Sequence, residues 1–344
     1  MVAAPETSID RLAQEWDELA DHAHAHPFLR PGWIRAWTSA FANGLPLDVR
    51  TVEHGGELAA VLPLLRRRGG LVSPTNWHTP MGGVLARTDD DREELLASVL
   101  ASRPRALTLS FLGPGLEQIR AAAARARYRL LEGTLQRSPT LALAGDWERY
   151  VATRQRKDIK EIERHGRRLA EMGDISFEVD EGLDRLEEGL RVEGSGWKID
   201  AGTAILCQPS VAQFYRDVAA WAAARGTLRL FFLRLDGRPI AFEYALLDDG
   251  ALYMLKGGYD PDLRAYGPGL QIASEMLRWS FEQGLRRFEF LGQEEPQKLQ
   301  WTSDVHDLRR TQAFAPSPAG RLEHLAWERG RPLALAVARR VRDR

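Results

Sequence analysis

The strongest constraint on the fold is that the chain repeats one order of segments. The string "FLG" at Phe111–Gly113 recurs at Phe290–Gly292, and Gly56 corresponds to Gly237, both at an offset of roughly 180 residues. In each half, apolar runs joined by short glycine turns precede a helix and then a strand that ends in glycine. Two matches in the same order favour a tandem duplication. A chain of 344 residues is also long enough for two domains.

The hydrophobic pattern supports the same division. "PLDVRTVEHGGELAAVLPLLRRRGG" predicts a β-hairpin in the first half, and "GTLRLFFLRLDGRPIAFEYALLDDGALYMLKGGY" predicts three strands with turns at Asp236–Gly237 and Asp249–Gly250. The helix Leu270–Gln283 follows, and "LRRFEFLGQE" then reads as a strand. The predicted fold class is α/β (α+β type), with two tandem domains at 1–140 and 141–314 and a helical tail at 315–344. Each domain is expected to be a mixed, mainly antiparallel sheet flanked by helices.

Composition excludes several classes of protein. Lysine plus arginine number 47 against 48 acids, which gives no support to a general nucleic-acid or membrane-surface binder. The single cysteine, Cys207, excludes an internal disulfide and a multi-cysteine metal site. On a helix, the spacing of His22, His24 and His26 scatters the rings, so no metal site is predicted. Because no signal peptide or membrane-spanning run is visible, we expect a cytoplasmic, bacterial protein.

A glycine loop is the main candidate for chemistry. In "ALYMLKGGYDPDLRAYGPGLQIASEMLRWSFEQG", a predicted strand is followed by Arg264-x-x-Gly267-x-Gly269 and then by a predicted helix. Backbone N–H groups at a helix N-terminus, together with the helix dipole, favour a bound phosphate. The two glycines allow close approach of the backbone, and Pro268 pre-sets the first helical residue. The bare string is weak evidence, since the same residues also suit a plain helix start.

This spacing resembles the acyl-CoA-binding motif of the GNAT acyltransferases, in which Gln or Arg is followed by x-x-Gly-x-Gly/Ala. Further similarity lies in "RQRKDIKEIERHGRRLAEMG", "GSGWKIDAGTAIL", "FYRDVAAWAAARGTLRLFFLRLDGRPIAF", "YMLKGGYDPD", "FEFLGQEEPQKLQW" and "FLRPGWIRAW". Together these segments resemble the branch with a duplicated GNAT fold. That branch includes CelD/BcsL-like and BioF2-like acetyltransferase domains and is related to the FemAB aminoacyltransferases. The similarity is strongest from about Tyr150 to Trp301.

The resemblance implies an enzyme that moves an acyl group, with acetyl favoured, from acyl-CoA to the amine of a small metabolite, amino sugar or peptide-like acceptor. The amine attacks the thioester directly, without an enzyme nucleophile or a metal. It implies donor-binding positions in the second half, whereas the first half lacks the motif and is expected to shape the acceptor cleft. The donor-binding positions are Leu255, Lys256, Gly257, Arg264, Gly267, Pro268, Gly269 and Leu270.

Other residues are candidates for proton transfer and for acceptor binding. Glu243 on the middle strand and Asp260 after the third strand are the candidate bases. Lys298 and Trp301 match a Lys-x-x-Trp that the family carries; Lys298 is grouped with the catalytic candidates and Trp301 with the acceptor-binding ones. The loop "EGSGWKID" adds Glu193, Trp197 and Lys198 to the acceptor candidates. The region "GQEEPQKLQW" has no tyrosine to protonate the leaving thiolate, so the general acid is unassigned.

Two alternatives stay open at this point. A Fem-like transferase would take its acyl group from aminoacyl-tRNA, with the basic residues between Arg154 and Arg168 holding the RNA, although the near-zero net charge argues against it. A catalytically silent acyl-CoA-binding scaffold in polysaccharide biosynthesis is the other. The acyl chain length, the acceptor and the oligomeric state are not encoded in any motif of the sequence.

Overall fold

The computed structural model describes residues 8–113, 115–196 and 202–329, so Trp197 and Lys198 of the predicted acceptor loop lie outside the described residues. The chain forms two compact units. The first comprises Met1–Ile34, Ala42–Leu135 and Asp307–Arg344; the second comprises Arg35–Phe41 and Gln136–His306. The first unit thus includes a segment that follows the second unit in the sequence, whereas the predicted division was sequential.

The α-helices are α1 Ser8–His22, α2 Pro31–Phe41, α3 Asp89–Ala101, α4 Leu116–Arg125, α5 Trp147–Ala152, α6 Arg156–Ala170, α7 Leu186–Glu193, α8 Pro209–Ala224, α9 Pro268–Glu282 and α10 Pro296–Leu299. Among the described residues, short 3₁₀ helices span Pro27–Leu29, Ile205–Cys207 and Pro261–Tyr266. Residues 318–329 of the predicted tail are also helical.

The strands are β1 Leu47–His54, β2 Glu57–Arg67, β3 Gly70–Val72, β4 Leu85–Ala86, β5 Ala106–Leu112, β6 Arg129–Ala142, β7 Ile175–Asp180, β8 Leu228–Leu235, β9 Arg238–Asp248, β10 Ala251–Tyr259, β11 Arg287–Glu289 and β12 Val305–Phe314. Every predicted hairpin forms. The turns Asp236–Gly237 and Asp249–Gly250 have positive φ at all four residues, as two-residue hairpin loops require.

The first unit contains one mixed sheet. β1 and β3 both pair antiparallel with β2, β5 lies parallel to β3, and β12 pairs antiparallel with β5. α3 supplies the crossover between the parallel strands β3 and β5. Its buried residues Leu95 and Val99 join Leu62 and Leu107 of the strands in an apolar core. The hydrophobic burial of this face holds the helix on the sheet.

The second unit repeats that pairing order. β8 and β10 both pair antiparallel with β9, β11 lies parallel to β10, and the end of β6 pairs antiparallel with β11. β7 extends the sheet beside β8. α9 is the crossover, and it buries Ile272, Met276 and Leu277 against core residues such as Phe231 and Phe288. The predicted fold class, α/β with mixed, mainly antiparallel pairing of strands flanked by helices, is confirmed.

Within residues 8–113, 115–196 and 202–329, no group of three or more His, Cys, Asp or Glu side chains is placed to hold a metal ion. None of the helices in these ranges combines the length and the apolar character that crossing a bilayer requires.

Candidate active site in the second unit

The strands β10 and β11 stop pairing a third of the way along β10. Their register runs from Ala251 to Tyr253 on β10, whereas β10 itself continues to Tyr259 beside β9. The register with β9 shifts between Met254 and Lys256, which leaves Leu255 in a β-bulge. A bulge turns the local backbone groups away from the regular ladder. The predicted donor segment, Leu255 to Gly257, therefore lies where the two parallel strands part.

The glycine loop has the conformation that its sequence predicts. β10 ends in the 3₁₀ helix Pro261–Tyr266, and Gly267 closes it with φ 61° and ψ 43° while serving as N-cap of α9. This left-handed conformation is strained for residues with a β-carbon. Pro268 occupies the first turn of α9, and the N–H of Leu270 donates to the carbonyl of Gly267 at 3.0 Å. The side chain of Arg264 is exposed on the loop.

Helix α6 packs on this loop, which the sequence did not predict. A β-carbon placed on Gly267 would lie 3.3 Å from the His165 ring, and a guanidinium nitrogen of Arg168 lies 3.5 Å from the carbonyl of Ala265. The Arg168 guanidinium also stacks 4.9 Å over the Tyr266 ring. The Gln271 amide of α9 donates to the carbonyl of Ile162 at 2.7 Å. These contacts place the Arg168 guanidinium and the His165 ring beside the loop that precedes α9.

Glu243 lies on the α9 face of the sheet, opposite Gly257. The two residues are register partners, and a β-carbon on Gly257 would lie 1.9 Å from the Glu243 carboxyl carbon. The carboxylate therefore fills the space above Gly257, one residue from Lys256. Lys256 pairs with Tyr244 and is half-buried on the opposite face. Glu243 thus lies beside the bulge, as a candidate base must.

Asp260 has a local structural role. Its carboxylate accepts the N–H of Asp262 at 3.0 Å and an N–H of Arg238 at 2.8 Å, so it caps the 3₁₀ helix before the glycine loop. A cavity of about 400 Å³ opens beside it, with Arg191 and Ser195 of the α7 end among the residues that line it.

The cavity wall also includes Glu188. Its carboxylate accepts two hydrogen bonds from Arg234, each 2.9 Å long. These bonds hold the pKa of the Glu188 carboxyl below its ordinary value. The carboxylate is therefore already neutralised by a cation of the same unit.

Lys298 and Trp301 stabilise the segment after β11. The Lys298 ammonium donates to the carbonyl of Leu291 at 2.9 Å and lies 3.1 Å from the Glu295 carboxylate. Trp301 is 1 % exposed and packs in the apolar core with Trp147. These contacts account for both residues by packing and hydrogen bonding, so neither enters the function proposed below.

Glu193 is fully buried at the end of α7. Its carboxylate accepts the N–H of Ile205 at 2.9 Å, and a β-carbon on Gly258 would lie 2.7 Å from its Cα. For Glu193 to bind the acceptor amine, as predicted, the end of α7 would have to move away from β10. Glu193 is better explained as a residue that fixes α7 against β10.

One polar cluster was missed at the sequence level. Glu289 at the end of β11 is 1 % exposed and lies within hydrogen-bond distance of His306 and of Arg287. Tyr253, its register partner on β10, is also buried, and burial raises the pKa of its phenol to about 12. The signal was present, because "FEF" places a carboxylate between two phenylalanines of a short buried strand.

Comparison with known proteins identifies the fold. Residues 154–299 match the family profile described as Acetyltransferase (GNAT) domain. Three solved structures are similar over most of the chain, each at 12 % identity. The first is FemX, with a TM-score of 0.59 over 87 % of this chain and 95 % of that one. The second is the C-terminal DUF2156 domain of a candidate lysylphosphatidylglycerol synthetase from Agrobacterium fabrum, with a TM-score of 0.57 over 93 % and 97 %.

The third similar structure is a conserved protein of unknown function from Bacteroides thetaiotaomicron, with a TM-score of 0.57 over 92 % of this chain and 100 % of that one. No curated protein matches the chain. At this level of identity the structures share the fold, and their substrates do not transfer with it. Residues 154–299 are therefore similar to the GNAT acetyltransferase domain, and the resemblance to the GNAT superfamily is confirmed.

Proposed function

We propose that the protein is an N-acyltransferase that moves an acyl group from acyl-CoA to the amine of a small acceptor. The observation that carries the proposal is the sequence of elements in the second unit: strands that part at a bulge, a glycine loop with Gly267 in the left-handed region, and the N-terminus of α9. A diphosphate fits the loop and helix end, because both present backbone N–H groups and the helix dipole is positive there.

The charges around the loop support an anionic donor. Arg168 contacts the loop and Arg264 is exposed on it. The donor would lie with its phosphates at Gly267–Leu270 and its thioester toward Leu255–Gly257. When bound, the thioester supplies the activated carbonyl, and backbone N–H groups at the bulge would stabilise the negative charge that builds on its oxygen.

The acceptor must lose a proton before it attacks. An alkyl ammonium with a pKa of about 10.4 costs about 4.6 kcal/mol to deprotonate at pH 7. Glu243 lies beside the bulge and is the candidate base from the sequence that the geometry supports. Asp260 is held by Arg238 and caps the loop, which suits a positioning role. Since acyl-CoA is an intracellular donor, we expect the reaction to take place in the cytoplasm.

The second candidate function is a Fem-like transfer from aminoacyl-tRNA. It is favoured by the row of exposed cations on α6, of which Arg168 contacts the glycine loop. These cations are Arg156, Lys157, Lys160, Arg164, Arg167 and Arg168. Acidic residues alternate with them, which weakens the electrostatic attraction of α6 for RNA.

Transfer assays separate the two candidates. The purified chain is incubated with a panel of amino sugars, amino acids and dipeptides and with acetyl-CoA, longer acyl-CoAs or a mixture of aminoacyl-tRNAs. We expect free CoA thiol to appear, together with an acylated amine, only with an acyl-CoA donor. Transfer only from aminoacyl-tRNA would replace the proposal with the Fem-like reaction. Saturable acyl-CoA binding without turnover on any amine would support the scaffold instead.

A further inference from the structure

The buried carboxylate of Glu289 is shared by two cationic or protonatable side chains. The Nε2 atom of His306 lies 3.1 and 3.2 Å from its two oxygens, and the Nε atom of Arg287 lies 3.0 Å from one of them. Glu289 is 1 % exposed, whereas 36 % of the His306 side chain is exposed. The arrangement therefore links a carboxylate in the protein interior to an imidazole at its surface.

This pair lies at the closed end of the gap between β10 and β11. Glu289 is the last residue of β11 and pairs with Tyr253, the last residue of β10 that has a β11 partner. Leu255 of the bulge is two residues further along β10, roughly 7 Å at the usual rise of a strand. Glu289 is thus one strand away from the proposed position of the thioester carbonyl, and His306 reaches Glu289 from the opposite side, across β6.

The cluster faces away from α9. Phe288 and Phe290, on either side of Glu289, belong to the core that packs under α9. Because side chains alternate along a strand, Glu289 lies on the opposite face. Its register partner on β6 is Thr140, so Thr140 and Ser138 lie on that face as well.

Two hydroxyls beside the pair lack partners. Within the described residues, Ser138 Oγ and Thr140 Oγ1 are buried without a hydrogen bond. Buried polar groups are normally hydrogen-bonded, and the exceptions commonly mark water or ligand positions. A substrate amine or a relay water next to these hydroxyls would complete their hydrogen bonds and lie beside Glu289.

We propose that His306, oriented by Glu289, takes the proton from the attacking amine through a water relay. This proposal rests on the function proposed above. With Nε2–H donating to the carboxylate, the basic nitrogen is Nδ1, which has no hydrogen-bond partner among the described residues. A carboxylate that fixes the tautomer and stabilises the imidazolium is the usual support for a histidine base. Glu289 is then a positioning residue.

The proton balance is complete without another reactant. The ammonium first loses one proton through Glu243 to solvent, the neutral amine nitrogen bonds to the thioester carbon, and His306 takes the second proton. The C–S bond breaks with its electron pair on sulfur. The imidazolium proton then passes to the thiolate, so the products are an amide, the free CoA thiol and one proton in solution.

The test compares His306→Gln and Glu289→Gln with His54→Gln. His54 is a matched control because its Nε2 lies 2.8 Å from the Asp91 carboxylate in the first unit, an equivalent pair outside the proposed site. We expect His306→Gln to lower kcat by about 10² to 10⁴ with little change in donor KM. Glu289→Gln should lower kcat about tenfold. His54→Gln should leave both parameters unchanged.

A second variant separates positioning from a purely structural role. Glu289→Asp keeps a carboxylate beside His306, so it should recover part of the kcat that Glu289→Gln loses, with donor KM near the wild-type value in both variants. Equal losses of kcat in the two variants would contradict the positioning role.

The outcomes separate the two proposals. Folded His306→Gln protein, checked by circular dichroism and thermal unfolding, that keeps its wild-type kcat would overturn the role of His306 and leave acyl transfer intact. Absence of transfer by the wild type with every donor would overturn the proposed function, and the role of His306 with it.

Discussion

Gly267→Val is expected to weaken acetyl-CoA binding by about tenfold or more. A β-branched residue at φ 61° costs about 1–2 kcal/mol, and its side chain would lie within 3.5 Å of the His165 ring. The loop must therefore shift, and the backbone N–H groups at the start of α9 lose their common direction. Isothermal titration with acetyl-CoA measures the change.

Gly284→Val is the matched control for this change. Gly284 follows the other end of α9, has φ 64°, and has no atom within 4 Å of an added β-carbon. The substitution imposes the same backbone penalty at the negative end of the helix dipole. We expect normal acetyl-CoA affinity in Gly284→Val. Equal losses in both variants would mean that general destabilisation, and not the phosphate loop, causes the effect.

Gly258→Ala is expected to lower the free energy of unfolding by about 1–3 kcal/mol. Its β-carbon would lie 2.7 Å from Glu193 Cα and 2.9 Å from the carbonyl oxygen of Val192. Both are backbone atoms, so α7 as a whole has to move away from β10. Urea unfolding followed by tryptophan fluorescence gives the value.

Gly257→Ala, one residue earlier in β10, is the control for Gly258→Ala, and we expect it to have a smaller effect on stability. The atoms in its way belong to the end of the Glu243 side chain, which can rotate. We therefore expect a smaller loss of stability than in Gly258→Ala, together with slower acyl transfer if Glu243 serves as a base. A loss of stability in Gly257→Ala as large as that in Gly258→Ala would contradict this interpretation of the α7 contact.

Local patterns predicted the elements that position the candidate site. The Asp–Gly turns encode the hairpins, because their residues tolerate positive φ. The spacing of Gly267, Pro268 and Gly269 predicted a loop that ends at a helix N-terminus, and α9 begins there. Both signals lie within a few residues of the structure that they specify.

These local patterns did not predict the contacts between segments that are far apart in the sequence. β12 pairs with β5 of the first unit although it follows the second unit in the chain. The hydrophobic periodicity of a strand does not indicate which other strand it pairs with. The contact between His306 and Glu289 joins β12 to β11, and β11 is itself paired with the distant strand β6. Trp301, which is 1 % exposed, shows that a motif position alone does not distinguish a core residue from a binding residue.

The central claim is that acyl-CoA binds along the open part of β10 and at the start of α9. Hydrogen–deuterium exchange with and without acetyl-CoA tests it directly. We predict slower exchange on binding for residues 254–259 and 268–271, with no change around Gly284 at the far end of α9. Unchanged exchange in both segments at saturating acetyl-CoA, or protection confined to other parts of the chain, would contradict the claim.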